Sequence, residues 1–123
     1  MTTDKTLDEA VRQTSALIEK QGLTKSQVLD MLRQMMEIRA LEMNISSLLS
    51  RAVLQGASHL YAGEEAVAVG AVAALREADL VTSTHRGHGH AHAHGDLAAK
   101  TPEEKQMHYN KMMAEVQGKS GGY

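Results

Sequence analysis

Arg86 and the histidines around it are the residues of this chain best equipped for chemistry. Arg86 stands directly before Gly87 and shortly before Gly89. A guanidinium presents a planar fork of donors matched to phosphate or carboxylate oxygens. Two nearby glycines let backbone approach a ligand closely. The preceding Leu-Val-Thr-Ser-Thr, residues 80–84, has strand character. Ligands of open α/β sheets lie beyond the carboxyl ends of strands, so an anion at Arg86 is one reading. A solvated arginine in a flexible loop is the other.

Five of the seven histidines lie between His85 and His94, in a stretch read here as a loop from His85 to Gly95. His88, His90, His92 and His94 alternate. In an extended chain they would share one side, ~6.6–6.8 Å apart. Neutral imidazoles are common ligands for zinc, nickel or copper, so a metal-binding strip is a second possibility, against a loop that is simply His-rich. Asp96 is the nearest carboxylate, and no carboxylate pair stands at ligand spacing. His59 is isolated, and a lone histidine is more often structural than catalytic. Glu64 and Glu65 suit a helix N-terminus. There is no phosphate-binding P-loop, no nucleophile elbow and no complete G-x-G-x-x-G.

Four helices are expected to carry these residues. The first spans 6–21, with Thr6 and Glu9 at capping-box spacing and Gly22 as its stop. The second spans 24–54, as one helix or two end to end. Thr24 and Gln27 form its capping box, Leu23 and Val28 a hydrophobic staple, and Gly56 its terminator. Val28, Leu32, Met35, Ile38, Leu41, Ile45, Leu48 and Leu49 recur every three or four residues and predict a broad buried stripe. Arg33, Arg39 and Glu42 are assigned to its wet side. The third, 64–76, is apolar all round over Ala66 to Leu75, which predicts burial on every side. Thr101-Pro102-Glu103-Glu104 opens the fourth, with a cap, Pro at the first position and acids in the first turn, running to about Gln117.

Composition bounds the function classes. The 123 residues fit one domain. With no Phe, no Trp and three Tyr, the core must rest on Leu, Val, Ala and eight Met. Absence of cysteine excludes disulfides, thiol catalysis and thiolate metal sites. A net charge of −2 argues for neither nucleic acid nor anionic membrane. The longest apolar helix, counted from Glu64, would be ~18 Å long, short of the ~30 Å bilayer core. The polar N-terminus lacks a signal-peptide apolar region. A cytoplasmic, non-membrane protein is the expectation.

The blocks HLYAGEEAVAVGAVAAL at 59–75, DLVTSTHRGHGH at 79–90 and MMAEVQGKSGGY at 112–123, with MLRQMMEIRALEMNI at 31–45, resemble the start of an alpha subunit of the thiamine-diphosphate-dependent 2-oxo acid dehydrogenases. That family includes pyruvate, branched-chain 2-oxo acid and acetoin dehydrogenases. The resemblance implies a fragment that is mostly α, the N-terminal part of an α/β thiamine-diphosphate-binding fold. It divides the chain into an N-terminal helix, 1–22, and an incomplete domain, 23–123. It implies an α₂β₂ tetramer with a beta subunit, and an enzyme of acetoin or pyruvate type. Such an enzyme cleaves a carbon–carbon bond beside a carbonyl and passes the acyl unit to a lipoyl-bearing acyltransferase component.

By the same resemblance Arg86 binds the cofactor's diphosphate and His85 contacts the cofactor beside it, where many members have Tyr. His59 faces the reacting centre as the catalytic histidine. Gly87, His88, Gly89 and His90 form a supporting loop. Magnesium accompanies the cofactor, on ligands expected outside this chain. The family's G-D-G…N motif is absent, and its K-G-x-G-G-S-M-H segment should begin where the sequence ends. Residues 95–111 run longer than the common spacing, Val116-Gln117 replaces a more usual apolar pair, and His92 and His94 are atypical. The chain alone is therefore expected to be inactive. The alternative is a small His-rich metal-binding or assembly protein without catalysis.

Overall fold

A computed structural model of the chain describes residues 3–55, 58–84 and 86–121. Five helices follow in order: α1 Thr3–Lys20, α2 Lys25–Ser50, α3 Glu65–Ala73, α4 His88–Ala98 and α5 Pro102–Val116. Among the described residues there is no strand, in keeping with the mostly-α expectation. The chain divides into two compact units, residues 1–32 and 33–123.

The first unit holds α1 and the opening turns of α2. α1 starts at Thr3, so Thr6 lies inside the helix and does not cap it. Gly22, at φ +67°, ends it: its N–H donates to Glu19 O, and Leu23 N–H donates to Ile18 O. Those paired bonds close the last turn and require a left-handed residue, which glycine adopts without a Cβ penalty. The Thr24 capping box forms as expected. Thr24 N–H donates to Gln27 Oε1 at 2.8 Å, and Gln27 N–H donates to Thr24 Oγ1 at 3.2 Å. Leu7, Val11 and Leu17 on α1 are exposed.

The second unit contains the core. Ile38, Leu41, Glu42 and Ile45 form the buried face of α2, at the three- and four-residue spacing that puts side chains over one another. Leu41 and Ile45 pack with Met112 of α5. α3 packs on α4, and α4 packs on α5. α2 stops at Ser50, before the expected end at 54. Ala52 takes φ +54°, and the N–H groups of Ala52 and Val53 donate to Leu49 O and Leu48 O. This is the same terminal motif as at Gly22, built on an alanine. Gly56, the expected terminator, lies outside the described residues.

Three further expectations give way. α3 is buried on one side only: Ala68, Val69 and Val72 face the core, while Ala66, Val67, Gly70 and Ala71 are exposed. A helix apolar all round needs cover on every side, and the described residues supply one. Residues 80–84 form no strand, and Leu80 is 94% exposed. Strand propensity becomes a strand only with a neighbouring edge to pair with. The third change is the largest, because the stretch read as a loop from 85 to 95 is mostly α4. α5 matches its expected signals closely. Thr101 Oγ1 accepts from Glu104 N–H at 3.2 Å, the Glu104 carboxylate accepts from Thr101 N–H at 3.1 Å, and Pro102 opens the helix.

No helix among the described residues is long and apolar enough to cross a membrane.

Candidate functional site

Helical geometry rearranges the histidines. At about 100° per residue, His88 and His92 share one side of α4, and His90 and His94 share another. The four-histidine strip of an extended chain therefore does not form. Among the described residues no group of three His, Asp or Glu is placed to hold a metal ion. Each histidine has its own surroundings. His88 Nδ1 is 3.0 Å from Glu42 Oε1. The His90 ring stands edge-on to Tyr61, centroids 5.4 Å apart. His94 Nε2 is 2.9 Å from the Asp79 carbonyl oxygen. His92 is mostly buried, 3.7 Å from Glu37 Oε2, and burial holds its pKa below the ordinary histidine value despite that neighbour.

Two buried carboxylates frame this region. Glu42 is fully buried. Its Oε2 accepts from Tyr61 N–H at 3.0 Å, while Oε1 meets His88. Glu65 is 4% exposed. Its carboxylate takes the Arg39 fork at both oxygens, NH2 to Oε2 at 3.0 Å and Nε to Oε1, and also accepts from Gly63 N–H. These charge-assisted bonds hold the Glu65 carboxyl at about 2, below its ordinary value and against the opposing pull of burial. Glu42, assigned to the wet side of α2, is instead buried, while Glu65 stands at the helix start where it was expected. Both carboxylates fasten α2 to the 61–65 turn.

Gly89 shows how closely those parts meet. A Cβ at Gly89 would lie 2.5 Å from Tyr61 Cδ1, so only glycine lets α4 rest on the buried Tyr61 ring. At Gly87 a Cβ would meet Ser83 and Thr84 at an ordinary 3.7 Å.

The proposed site residues divide between two faces. His59 and His88 come together along a cavity of about 250 Å³, with Ser58, Gln55 and the apolar Leu54 and Val116. Arg86 does not line that cavity. It is half exposed and ion-paired with Glu64. Gly87 is the N-cap of α4, and among the described residues no side-chain cap hydrogen bond is made there. Arg86 thus sits beside an uncapped helix N-terminus, whose amides and dipole favour an anion. It already binds a carboxylate there. This donor set fits one end of a diphosphate. His85 lies outside the described residues.

Comparison with known proteins bears on the same residues. The dehydrogenase E1 component family profile matches residues 33–122, starting at the residue where the second compact unit begins. This chain belongs to the dehydrogenase E1 component family.

Among its relatives is the alpha subunit of acetoin:2,6-dichlorophenolindophenol oxidoreductase of Bacillus subtilis, 46% identical over 109 residues, covering 86% of this chain and 29% of the relative. The protein of the same name from Cupriavidus necator is 41% identical over 100 residues, 81% of this chain and 27% of the relative. A mitochondrial pyruvate dehydrogenase E1 component subunit alpha-2 of Arabidopsis thaliana is 33% identical over 87 residues, 68% of this chain and 22% of the relative. The chain thus spans less than a third of the length of these relatives. No solved structure gives a significant match.

Proposed function

We propose that this chain works as part of the alpha subunit of a thiamine-diphosphate-dependent dehydrogenase of acetoin or pyruvate type, together with a beta subunit. In this reading residues 1–22 are an N-terminal helix and residues 23–123 the first part of the cofactor-binding domain. The enzyme is cytoplasmic and hands its acyl product to a lipoyl group on an acyltransferase component. The carrying observation is Arg86, held before the uncapped N-terminus of α4 in a chain of this family.

When bound, thiamine diphosphate supplies the carbon nucleophile and electron sink that let a carbon–carbon bond beside a carbonyl break. The residues here bind and orient. The Arg86 guanidinium and the α4 amides take diphosphate oxygens, with Glu64 giving up its place on the arginine. His85 contacts the cofactor next to Arg86. His59 meets substrate in the cavity it shares with His88, while Gly87, Gly89 and His90 shape the turn into α4. Magnesium accompanies the diphosphate on ligands outside this set. The isolated chain, with this fraction of a site, turns nothing over.

Arg86→Ala in the alpha subunit, assembled with its beta subunit, tests the reading. Removing a charge-assisted contact should weaken thiamine diphosphate binding by roughly 10- to 100-fold, about 1.5–3 kcal/mol, measured by calorimetry. Unchanged cofactor affinity would sink the diphosphate assignment.

A further inference from the structure

Three polar rungs join α4 to α2 in antiparallel order. His88 meets Glu42, His92 stands opposite Glu37, and Asp96 accepts from Arg33. The α4 members are four residues apart, so they share one side of that helix. The outer rungs are hydrogen-bonded, at 3.0 and 2.9 Å. The middle rung is not. His92 Nε2 lies 3.7 Å from Glu37 Oε2, beyond hydrogen-bond reach. His92 Nδ1 is buried and meets no partner among the described residues. Charges surround this ring on every side. Arg33 and Glu37 come from α2, Asp96 from the next turn of α4 and Lys105 from α5, while His108 and Tyr109 of α5 line the same cavity of about 390 Å³. The carboxylates are already engaged: the buried Asp96 holds Arg33 at one oxygen and Lys105 at the other, and Glu37 holds Arg33. One carboxylate of α4 thus ties down both neighbouring helices.

We propose that His92 is the trigger of an acid-operated latch: on taking up a proton it draws Glu37 and Asp96 away from Arg33 and Lys105, and the Asp96 end of α4 lets go of α2 and α5. A neutral ring leaves the ion pairs as they are. A charged ring carries an N–H on both nitrogens. It repels Arg33 and Lys105, competes with them for two carboxylates, and leaves a buried donor stranded at Nδ1, which is costly. Burial, helped by the two cations and opposed by the two carboxylates, already holds the His92 pKa below the ordinary 6.5. Such a group costs the fold nothing above its unfolded value. Stability is lost as pH falls below about 6.5 toward the depressed folded value. The device does not depend on what α4 binds, but any ligand held at the start of α4 loses its platform as the latch opens.

The test combines histidine NMR with amide hydrogen exchange on the full 123-residue chain, titrated from about pH 8 to 5 across the histidine range. His92 should titrate below 6.5. Exchange protection of α4, corrected for the intrinsic effect of pH, should fall about tenfold for each unit of that depression. His92→Gln stays neutral throughout and should remove this loss. Two variants at partly exposed positions decide the matter if His92→Gln does not fold. Glu37→Gln takes away an attracting carboxylate and should lower the His92 midpoint further. Lys105→Met takes away a repelling cation and should raise it.

A His92 midpoint at or above the ordinary value overturns the inference. So does an acid loss of α4 protection that survives in His92→Gln, or a pair of variants that shift the midpoint in the same direction. Cofactor binding does not enter these measurements, so failure of the proposed function would leave the latch standing.

Discussion

Arg86 and His88 are two residues apart, yet they belong to opposite kinds of surroundings. His88 and its neighbour Gly89 are held against the buried side chains of Glu42 and Tyr61. Arg86 and Gly87 look outward, and the partner of Arg86 is the half-exposed Glu64. Exposed ion pairs contribute little to stability, whereas buried, hydrogen-bonded ones are costly to break from one side. The inner residues are therefore the harder to move, and the outer pair is the easier to part. On the proposed function, the first would orient a ligand and the second would exchange Glu64 for the cofactor's anion.

The sharpest way to break this comparison is a matched pair of glycine substitutions. Gly89→Ala should be the most damaging change, since its Cβ would sit 2.5 Å from a buried ring carbon. Overpacking of this kind costs about 1–3 kcal/mol or more. Gly87→Ala meets its nearest atoms at 3.7 Å and should stay within about 0.5 kcal/mol of wild type. Thermal melts of the two variants suffice. Equal losses would mean that the inner and outer halves of the segment are not differently constrained.

An acid titration probes the inner frame next. Glu65 has a folded-state pKa near 2, depressed from its ordinary 4.5. The stability it contributes is therefore complete above the unfolded value. It is lost as pH falls from about 4.5 toward 2. Arg39→Met removes the fork that supplies the largest part of that depression. The variant should be less stable at neutral pH and lose less on acidification, so the two curves converge as pH falls toward 2. Denaturant midpoints measured across that range would show the convergence, and parallel curves would mean that Arg39 does not hold Glu65 in solution.

Much of this frame was legible in the sequence, though not for the residues first expected to matter. Two of the three expected capping boxes form, Thr24–Gln27 and Thr101–Glu104, because a Thr and a Gln or Glu three residues apart can satisfy each other locally; the third, Thr6–Glu9, falls inside α1, which starts earlier. Features that depend on distant partners were not. Residues 80–84 carry strand propensity without an edge to pair with, and the alternating histidines suited an extended segment as well as a helix. Glu42 had a signal that went unused. It falls with Ile38, Leu41 and Ile45 on one helical face, and a charge inside an apolar stripe implies a buried partner. The partner, His88, lies 46 residues away, beyond what periodicity can show.

The smallest change sharpens the outer half of the comparison. Glu64→Gln removes the carboxylate that occupies Arg86 while leaving a side chain of the same length. Both partners are more than two-fifths exposed, so the melting midpoint should barely move, within the few tenths of a kcal/mol typical of surface pairs. Anion binding should respond differently, because a competing negative charge has left the guanidinium. Inorganic pyrophosphate, titrated into the chain at low ionic strength where such contacts are least screened, should bind more tightly to Glu64→Gln than to wild type. Arg86→Ala should abolish the difference between them. If Glu64→Gln destabilised the fold and left pyrophosphate affinity unchanged, the Arg86–Glu64 pair would be part of the fixed frame, and the contrast between the two faces of the segment would disappear.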